Sequence, residues 1–445
     1  MTTELKRCLK LHEIVIYGVG LILGAGIYVL IGSAAGIAGN MLWLSFLLAA
    51  GVASFTAASY AELSAMFPQA AAEYVYARAA IPWRGFAWIF GFVAIIIGFT
   101  TASAVAVGFA HYLALFVPLD KTLLAAGLIV VMTFVSFWGI KESARFNAVA
   151  TSIEVGGLLL LIVIGGYFII AGHIPLANLT EFPPIASPDA SAWLPVVSAG
   201  ALIFFAYMGF EDIANIAEEA QNPSQTLPRA FLYALVISTV IYVLVAIVAV
   251  SVVPFSELAA SEQPLSLIMG TLVGGRASDA IAVIALFATA NTVLITLIVC
   301  ARMMYGMAKS SSLPAALARV HRRRQTPYVA AILVGLISIG FLFFKEIEIL
   351  ASISDVGIFL LFLVVNLSNI ILRYRRPDLE RPWRGILNIG RMPLLSLLGA
   401  ISCVLMLFTI NHPVHIGDIQ FSSLLLGLAI FAAAIPLYFV LDRSA

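Results

Sequence analysis

Long apolar runs alternate with short polar connections along almost the whole chain. An apolar run of about 18 residues or more can cross the ~30 Å hydrocarbon core of a bilayer as an α-helix. The pattern therefore predicts twelve membrane-spanning helices, at residues 14–33, 41–66, 86–113, 121–139, 149–172, 193–216, 229–253, 279–306, 328–344, 348–372, 392–410 and 420–441.

The positive charges sort to one side of this pattern. If the N-terminus lies in the cytoplasm, all but three of the 24 lysine and arginine residues fall on the cytoplasmic side, the exceptions being Lys121, Arg276 and Lys345. Cytoplasmic loops of membrane proteins carry such an excess of basic residues. We therefore predict a multi-pass protein of the cell membrane with both termini in the cytoplasm.

Two of the predicted connections are longer than the others. Residues 67–85 are expected to hold a short surface helix between the second and third spans. Residues 307–327 form a basic loop on the predicted cytoplasmic side, which acts either as a simple inside-positive anchor or as a binding site for anionic lipid.

Composition excludes several functional classes. Hydrophobic residues make up 62% of the 445 residues and charged residues 11%, whereas a soluble domain has about 25% charged residues. The three cysteines are too scattered for a disulfide framework or a metal cluster. No nucleophile-elbow, zinc-protease or phosphate-loop motif is present. We expect a non-enzyme with no metal, cofactor or nucleic-acid partner, in contact with the lipid bilayer.

Glycine is concentrated in the first span, which reads "IVIYGVGLILGAGIYVLIG". Glycines in a membrane helix either let two helices approach closely or permit an interruption where the backbone lines a cavity. Gly20 and Gly24 have the spacing of a packing face, but "GAGI" removes helix propensity within a single turn. Gly24 lies eleven residues after Glu13, or ~17 Å deeper, near the membrane midplane. We predict an interruption at residues 24–26.

The sixth span carries a similar signal. Gly209 lies nine residues before Glu218, which places it ~14 Å deep, and we predict a second interruption near residues 206–209. Discontinuous helices at positions one and six are typical of transporters built from two repeats with a binding site between them. Spans one to five begin inside and spans six to ten begin outside, so the second repeat would be inverted.

Five segments of the chain carry recognisable motifs. They are "GAGIY" in span one, "FPQAAAEYVY" after span two, "FFAYMGFEDIANIAEEAQNPSQTLPRA" in and after span six, "ARMMYGMAKSSSLP" and "RYRRPDLERPWR". These motifs resemble those of the amino acid–polyamine–organocation transporters. The resemblance covers essentially the whole chain. One departure is that Ala71 and Ala72 stand where the family usually has glycine.

This resemblance implies an all-α, twelve-helix membrane protein with a LeuT-like fold. Residues 1–180 would form the first five-helix repeat, residues 181–378 the inverted second repeat, and residues 379–445 two additional peripheral helices.

The resemblance also implies how an amino acid is held. Amides in the signature that begins at Gly24, around Ala25, Gly26 and Ile27, would bind the α-carboxylate. The carbonyls of Ile22, Phe205 and Met208 would bind the α-ammonium group, and Gly209 would permit the break. Phe205 either closes over the bound substrate or packs as an ordinary helix residue.

Acidic residues within spans are costly and are therefore functional candidates. Glu154 either exchanges a coupling proton or forms a structural hydrogen bond with the first span. Glu154 stands where some proton-coupled relatives carry lysine. Protonation neutralises a glutamate but charges a lysine, so the charge states at this position would be opposite. Glu211 is a candidate for the transport cycle that could link span six to spans three and eight. Asp212 is read as a structural cap or a cavity-facing group, and Asp355 as a cap at the start of span ten. Glu218 and Glu219 are read as gate or rim residues.

The sequence thus predicts a secondary transporter that takes up amino acids with protons by alternating access. Ala25, Ala206 and Met208 favour small or apolar neutral substrates. The alternatives are an amino acid exchanger, a cationic amino acid or polyamine transporter, and a sodium symporter that uses threonines of span eight such as Thr289, Thr292 and Thr296.

Overall fold

The computed structural model describes residues 9–69, 72–138, 140–182, 192–309, 312–321, 324, 326–410, 413–416 and 419–441. Most of these residues are helical. The α-helices are α1 (Leu11–Ile22), α2 (Ala25–Ala38), α3 (Leu42–Met66), α4 (Ala72–Ala80), α5 (Arg84–Leu113), α6 (Lys121–Trp138), α7 (Ile140–Ile170), α8 (Trp193–Ile203), α9 (Pro223–Val252), α10 (Phe255–Ala260), α11 (Pro264–Val273), α12 (Gly275–Lys309), α13 (Tyr328–Phe341), α14 (Ile347–Arg375), α15 (Leu394–Thr409), α16 (Ser423–Ala432) and α17 (Ala434–Leu441).

Short 3-10 helices and hairpins complete the described chain. The 3-10 helices are Gly39–Met41, Phe204–Tyr207, Phe210–Glu219, Ala315–Ala318 and Leu342–Phe344. Strands β1 (Asn388–Ile389) and β2 (Met392–Pro393) pair antiparallel, as do β3 (Pro413–Ile416) and β4 (Ile419–Ser422). The second hairpin occupies positions that the sequence pattern had assigned to an outer loop and to the start of a final span at residue 420.

The predicted all-helical membrane architecture is confirmed. Within the described residues, seven helical segments are long and apolar enough to cross a membrane, and six shorter apolar helices accompany them. Many large apolar side chains face outward, among them Ile170, Phe408 and Phe439. A continuous apolar exterior is expected where lipid, rather than water, surrounds the protein. The count of twelve spans stays a prediction.

Helix burial separates the centre of the bundle from its edge. In the most apolar 18-residue stretch of Ile347–Arg375, 83% of the residues are buried inside the protein, against 28% in the corresponding stretch of Phe146–Ile170. Helix α14 therefore lies in the core, packed against α3, α4, α5, α15 and α16, whereas α7 lies at the periphery. The long helices α5 and α12 pack against each other, as do α3 and α9, and these two pairs form the remainder of the core.

The discontinuous segments lie side by side near this core. Helix α1 packs against the 3-10 helix Phe210–Glu219, and α2 packs against α8. Since the chain runs from α1 to α2 and from α8 to Phe210–Glu219, the two broken elements are antiparallel.

Helix α4 is more buried than the sequence suggested. It begins at Ala72 in the connection expected to form a surface helix, but Glu73 and Tyr76 are buried and α4 packs against α5 and α14. The expectation that Asp355 caps a helix is wrong, because α14 begins at Ile347 and Asp355 lies more than two turns inside it.

A buried ion cluster joins α3 to the loop that follows α14. Both carboxylate oxygens of Glu62 accept hydrogen bonds from the guanidinium of Arg373. The amide of Gly385 also donates to Glu62 at 3.2 Å, and Arg381 Nε lies 3.6 Å from the same carboxylate. Glu62 is 1% exposed. This cluster of Glu62, Arg373 and Arg381 pins residues 376–388 against the helices.

We predict that Glu62→Ala lowers the free energy of unfolding by about 3–5 kcal/mol, because two buried arginines lose their counter-ion. Thermal unfolding of the purified protein in detergent measures the change. Asp378→Ala is the matched control, since its pair with Arg376 is exposed. It should leave the melting temperature unchanged. Equal effects of the two substitutions would contradict this role of the cluster.

Candidate functional site

The first helix break lies between α1 and α2. Helix α1 ends at Ile22 and α2 begins at Ala25, so Leu23 and Gly24 connect two separate helices. A helix end leaves carbonyl groups without partners, and a helix start leaves amide groups without partners. The break therefore presents both acceptors and donors in the interior of the protein.

The second break lies after α8. A 3-10 turn over Phe204–Tyr207 is followed by extended backbone at Met208 and by a left-handed Gly209 with φ of +113°. Only glycine adopts this conformation without strain. The amide of Met208 donates to the carbonyl of Phe205 at 3.3 Å.

The two breaks touch each other. A Cβ atom built on Gly26 would fall 2.5 Å from the Cα of Ala206, and one built on Gly209 would fall 3.0 Å from the carbonyl oxygen of Leu21. Glycine at both positions is what allows backbone to meet backbone.

A cavity of about 980 Å³, which includes space open to solvent, borders both breaks. Of the predicted site residues, its lining includes Ile22, Gly24, Ala25, Gly26, Phe205, Ala206, Met208, Gly209 and Glu211. The predicted Ile27 and Glu154 are fully buried outside this lining. Most of the remaining wall is apolar and comes from α5, α12 and α14, through residues such as Ile97, Val299 and Leu361.

Tyr242 on α9 connects the two breaks. Its hydroxyl donates to the carbonyl of Ala206 at 2.8 Å and also contacts the carbonyl of Ile22. A hydroxyl carries one proton, so the two carbonyls share it. The Ile22 carbonyl expected to bind an ammonium group thus already has one partner, and its second lone pair stays available.

Thr292 on α12 satisfies the start of α2. Its hydroxyl accepts a hydrogen bond from the Ala25 amide at 3.1 Å and donates to the Ala288 carbonyl at 3.1 Å. Thr289 donates to Ala285 within its own helix. Threonines were noted in this span, but sequence alone carried no sign that Thr292 faces an amide, and Tyr242 was missed entirely.

Three carboxylate side chains line the cavity, those of Glu73, Glu211 and Asp212. Glu211 accepts a hydrogen bond from the Gly209 amide at 2.9 Å, so it stabilises the second break. Glu73 accepts one from the Tyr60 hydroxyl at 2.9 Å. Burial raises the pKa of Glu73 to about 7, and the nearby Asp212 acts in the same direction. Glu73 was missed because it lies on α4, in the connection assigned to the surface.

Glu154 on α7 lies outside the cavity but close to the breaks. It is fully buried, and neither carboxylate oxygen has a hydrogen-bond partner among the described residues. Its backbone carbonyl accepts a hydrogen bond from the Tyr28 hydroxyl at 3.1 Å, and Tyr242 also lies near its carboxyl group. The side chains of Glu218 and Glu219 lie outside the described part of the chain.

Sequence comparison relates the chain to known proteins. A family model described as amino acid permease matches residues 9–435. The chain is 28% identical to the branched-chain amino acid permease BcaP of Bacillus subtilis, over 96% of this chain and 93% of that protein. It is 27% identical to the methylthioribose transporter of Bacillus subtilis, over 92% and 89% of the two chains. It is 33% identical to the vacuolar cationic amino acid transporter 2 of Arabidopsis thaliana, over 85% of this chain and 61% of that protein.

We predict that Gly26→Ala destabilises the protein by about 1–3 kcal/mol, since its methyl group would meet the backbone at Ala206. Gly127→Ala in α6 is the control, because a Cβ there meets nothing within 4 Å. The control should stabilise by about 0.5–1 kcal/mol through helix propensity. Thermal unfolding in detergent compares the two, and equal shifts would argue against contact between the breaks.

Ionisation of Glu73 should make stability depend on pH. The folded protein holds this proton up to about pH 7, whereas the unfolded chain releases it near pH 4.5. Between these two pH values the folded state therefore binds more protons than the unfolded state, and stability falls as pH rises through that window. We expect Glu73→Gln to make this fall shallower by the contribution of one proton, as measured by melting temperature against pH. The exposed Glu257→Gln should retain it, and an unchanged profile in the Glu73→Gln variant would refute the assignment.

Proposed function

Since the chain belongs to the amino acid permease family, we propose that it takes up neutral amino acids together with protons by alternating access. The chain is a multi-pass membrane protein and a transporter rather than an enzyme. The proposal includes twelve spans with both termini in the cytoplasm of the cell. It also includes two inverted five-helix repeats, residues 1–180 and 181–378, followed by the peripheral residues 379–445.

The observation that carries this proposal is the pair of touching helix breaks beside one cavity. Discontinuous helices that meet at a cavity supply amide donors and carbonyl acceptors without a charged side chain. A zwitterionic amino acid needs both kinds of group within a few ångströms. Here the first turn of α2 borders the same cavity as the 204–209 segment.

The α-carboxylate is placed at the start of α2. The amides of Gly26 and Ile27 lie in its first turn, where the helix dipole favours an anion. The Ala25 amide already donates a hydrogen bond to Thr292. It therefore contributes to carboxylate binding through the helix dipole, and a direct hydrogen bond to the substrate would require Thr292 to turn away. The α-ammonium group is placed at the carbonyls of Ile22, Phe205 and Met208, with Glu211 close by as a negative charge.

The apolar wall supports a neutral substrate. Ile97, Ile295, Val299, Ile358 and Leu361 surround the space beyond the breaks, which suits an aliphatic side chain. Phe205 borders the cavity and is proposed to close over the bound substrate. The similarity to a branched-chain amino acid permease is in keeping with this choice.

Proton coupling is assigned to Glu154, with Glu211 as a second participant. An ionised carboxylate without a partner is costly in the interior, so Glu154 is neutral while buried. When ionised, it would attract the Tyr242 hydroxyl away from the carbonyls of Ile22 and Ala206. Protonation of Glu154 would thus favour the arrangement in which Tyr242 holds the two breaks together.

A cationic substrate is the second candidate. Glu73, Glu211 and Asp212 line the cavity, and no lysine or arginine of the described chain does. Carboxyl groups in such a lining attract a basic side chain once they are ionised, and the chain is similar to plant cationic amino acid transporters. Sodium coupling is less well supported, because Thr292 faces an amide, whereas sodium requires oxygen ligands.

Uptake into proteoliposomes tests the proposal. Labelled leucine is offered with an inward proton gradient or an inward sodium gradient imposed separately, and with excess unlabelled arginine. Accumulation that follows the proton gradient and resists arginine supports neutral, proton-coupled uptake. Competition by arginine supports the cationic candidate, and exchange without accumulation under either gradient supports an exchanger.

We predict that Glu154→Gln abolishes accumulation driven by the proton gradient but retains counterflow of leucine, because a neutral side chain cannot release a proton. Counterflow needs only exchange of bound substrate. The exposed Glu346→Gln is the control and should accumulate leucine as the unaltered protein does. Full accumulation by the Glu154→Gln variant would remove Glu154 from the coupling mechanism.

A further inference from the structure

Asp355 is a second buried carboxylate that the proposed mechanism does not use. It lies inside α14, is fully buried, and neither of its carboxylate oxygens has a hydrogen-bond partner among the described residues. The hydroxyl of Ser352, one turn earlier on the same helix, is also buried without a partner there. Buried polar groups are usually paired, so both side chains require an explanation.

The face of α14 that carries Asp355 closes against the discontinuous helices. Four residues later Phe359 packs on Phe204, with ring centroids 4.6 Å apart. Seven residues earlier Glu348 accepts a hydrogen bond from Ser33 of α2 at 2.5 Å. Positions 348, 352, 355 and 359 share one helix face, so Asp355 lies where α14 meets α2 and the 204–207 turn.

Asp355 also lies between the cavity and one end of α14. Ile358, three residues further along, lines the cavity. Asp355 is eight residues from the helix start at Ile347, or ~12 Å along the axis. Movement of α2 and α8 away from this face would open a path from the cavity to that end of the helix.

Within the described chain, no charge compensates Asp355 from the helices around it. Helices α2, α8 and α16 contain no charged residue. Helix α15 offers only Cys403 as a titratable group, and the charges of α5 lie at its ends, at Arg84 and His111. The other titratable groups on α3, α4 and α14 either pair elsewhere or lie toward the far end of α14. They are Tyr60, Glu62, Glu73, Tyr74, Tyr76, Arg78, Glu348, Arg373, Tyr374 and Arg375.

We propose that Asp355 is a proton-binding site that must be occupied before α2 and α8 can close against α14. Among the described residues, an ionised carboxylate in this dry contact would have no counter-ion and no hydrogen-bond partner, which is prohibitive in the membrane interior. When the face opens to water, the carboxylic acid releases its proton to the aqueous phase. Closure takes one proton back from that phase onto a carboxylate oxygen, so the step is balanced in charge.

The inference rests on the proposed function, because it requires a gate that opens and closes around a substrate. The two proposed proton sites, Glu154 and Asp355, differ in the role of the proton. Glu154 is assigned to drive accumulation, whereas Asp355 sets the pH at which the gate can close, even without a proton gradient.

Leucine counterflow at equal pH on both membrane faces tests the site. We expect exchange by the unaltered protein to slow as pH rises, by up to about tenfold per pH unit once Asp355 ionises in the open state. Asp355→Asn is permanently neutral and should keep its rate at alkaline pH. The exposed Asp279→Asn on α12 is the matched control and should slow as the unaltered protein does.

An infrared measurement tests the protonated state directly and needs no substrate. The purified protein at neutral pH should show carbonyl absorption of protonated carboxylic acids, to which Glu154 also contributes. Asp355→Asn should remove one component of this absorption, and Asp279→Asn should retain it. Asp355→Thr serves as the neutral variant if the asparagine variant does not fold.

The outcomes separate the two proposals. Absence of leucine counterflow by the unaltered protein at every pH overturns the proposed substrate, and the infrared band still decides on Asp355. An alkaline decline that persists in Asp355→Asn, or a carbonyl region identical in both proteins, overturns the proton site and leaves the proposed function intact.

Discussion

Backbone groups that lose their helical partners inside a membrane need new ones, and the centre of this protein is arranged around that requirement. The Tyr242 hydroxyl serves the carbonyls of Ile22 and Ala206, and the Thr292 hydroxyl serves the amide of Ala25. Both side chains come from continuous helices, α9 and α12, which flank the breaks. Two intact helices thus stabilise two discontinuous ones, and the polar backbone groups at the breaks face a cavity rather than lipid.

The cavity is polar at the breaks and apolar elsewhere. The first turn of α2 presents the positive end of a helix dipole, while the carboxyl groups of Glu73, Glu211 and Asp212 lie in the same lining. Aliphatic residues of α5, α12 and α14 separate this polar region from the rest of the bundle. Such a division orients a molecule that carries both charges and an apolar tail.

The sequence was informative about helices and much less so about contacts between them. Apolar runs predicted the membrane class, and the glycines at positions 24, 26 and 209 pointed to where α1 and α8 end. Tyr242 and Thr292 could not be found, because their roles depend on which helices become neighbours. Glu73 was assigned to the surface because a polar segment of nine helical residues gives no sign that it folds against α5 and α14. Asp355 was read as a cap because the true start of α14 lies two turns earlier.

The buried cluster of Glu62, Arg373 and Arg381 has a mechanical consequence. Its hydrogen bonds fasten α3, α14 and the segment before β1 into one stiff frame, since separating them would strand charges in a dry interior. The joints at Leu23–Gly24 and Met208–Gly209 are instead held by hydrogen bonds to Tyr242, Thr292 and Glu211, and they border the cavity rather than a dry interior. We therefore expect any large displacement of α2 and α8 to occur as rotation about these two joints, with α3 and α14 staying fixed relative to each other.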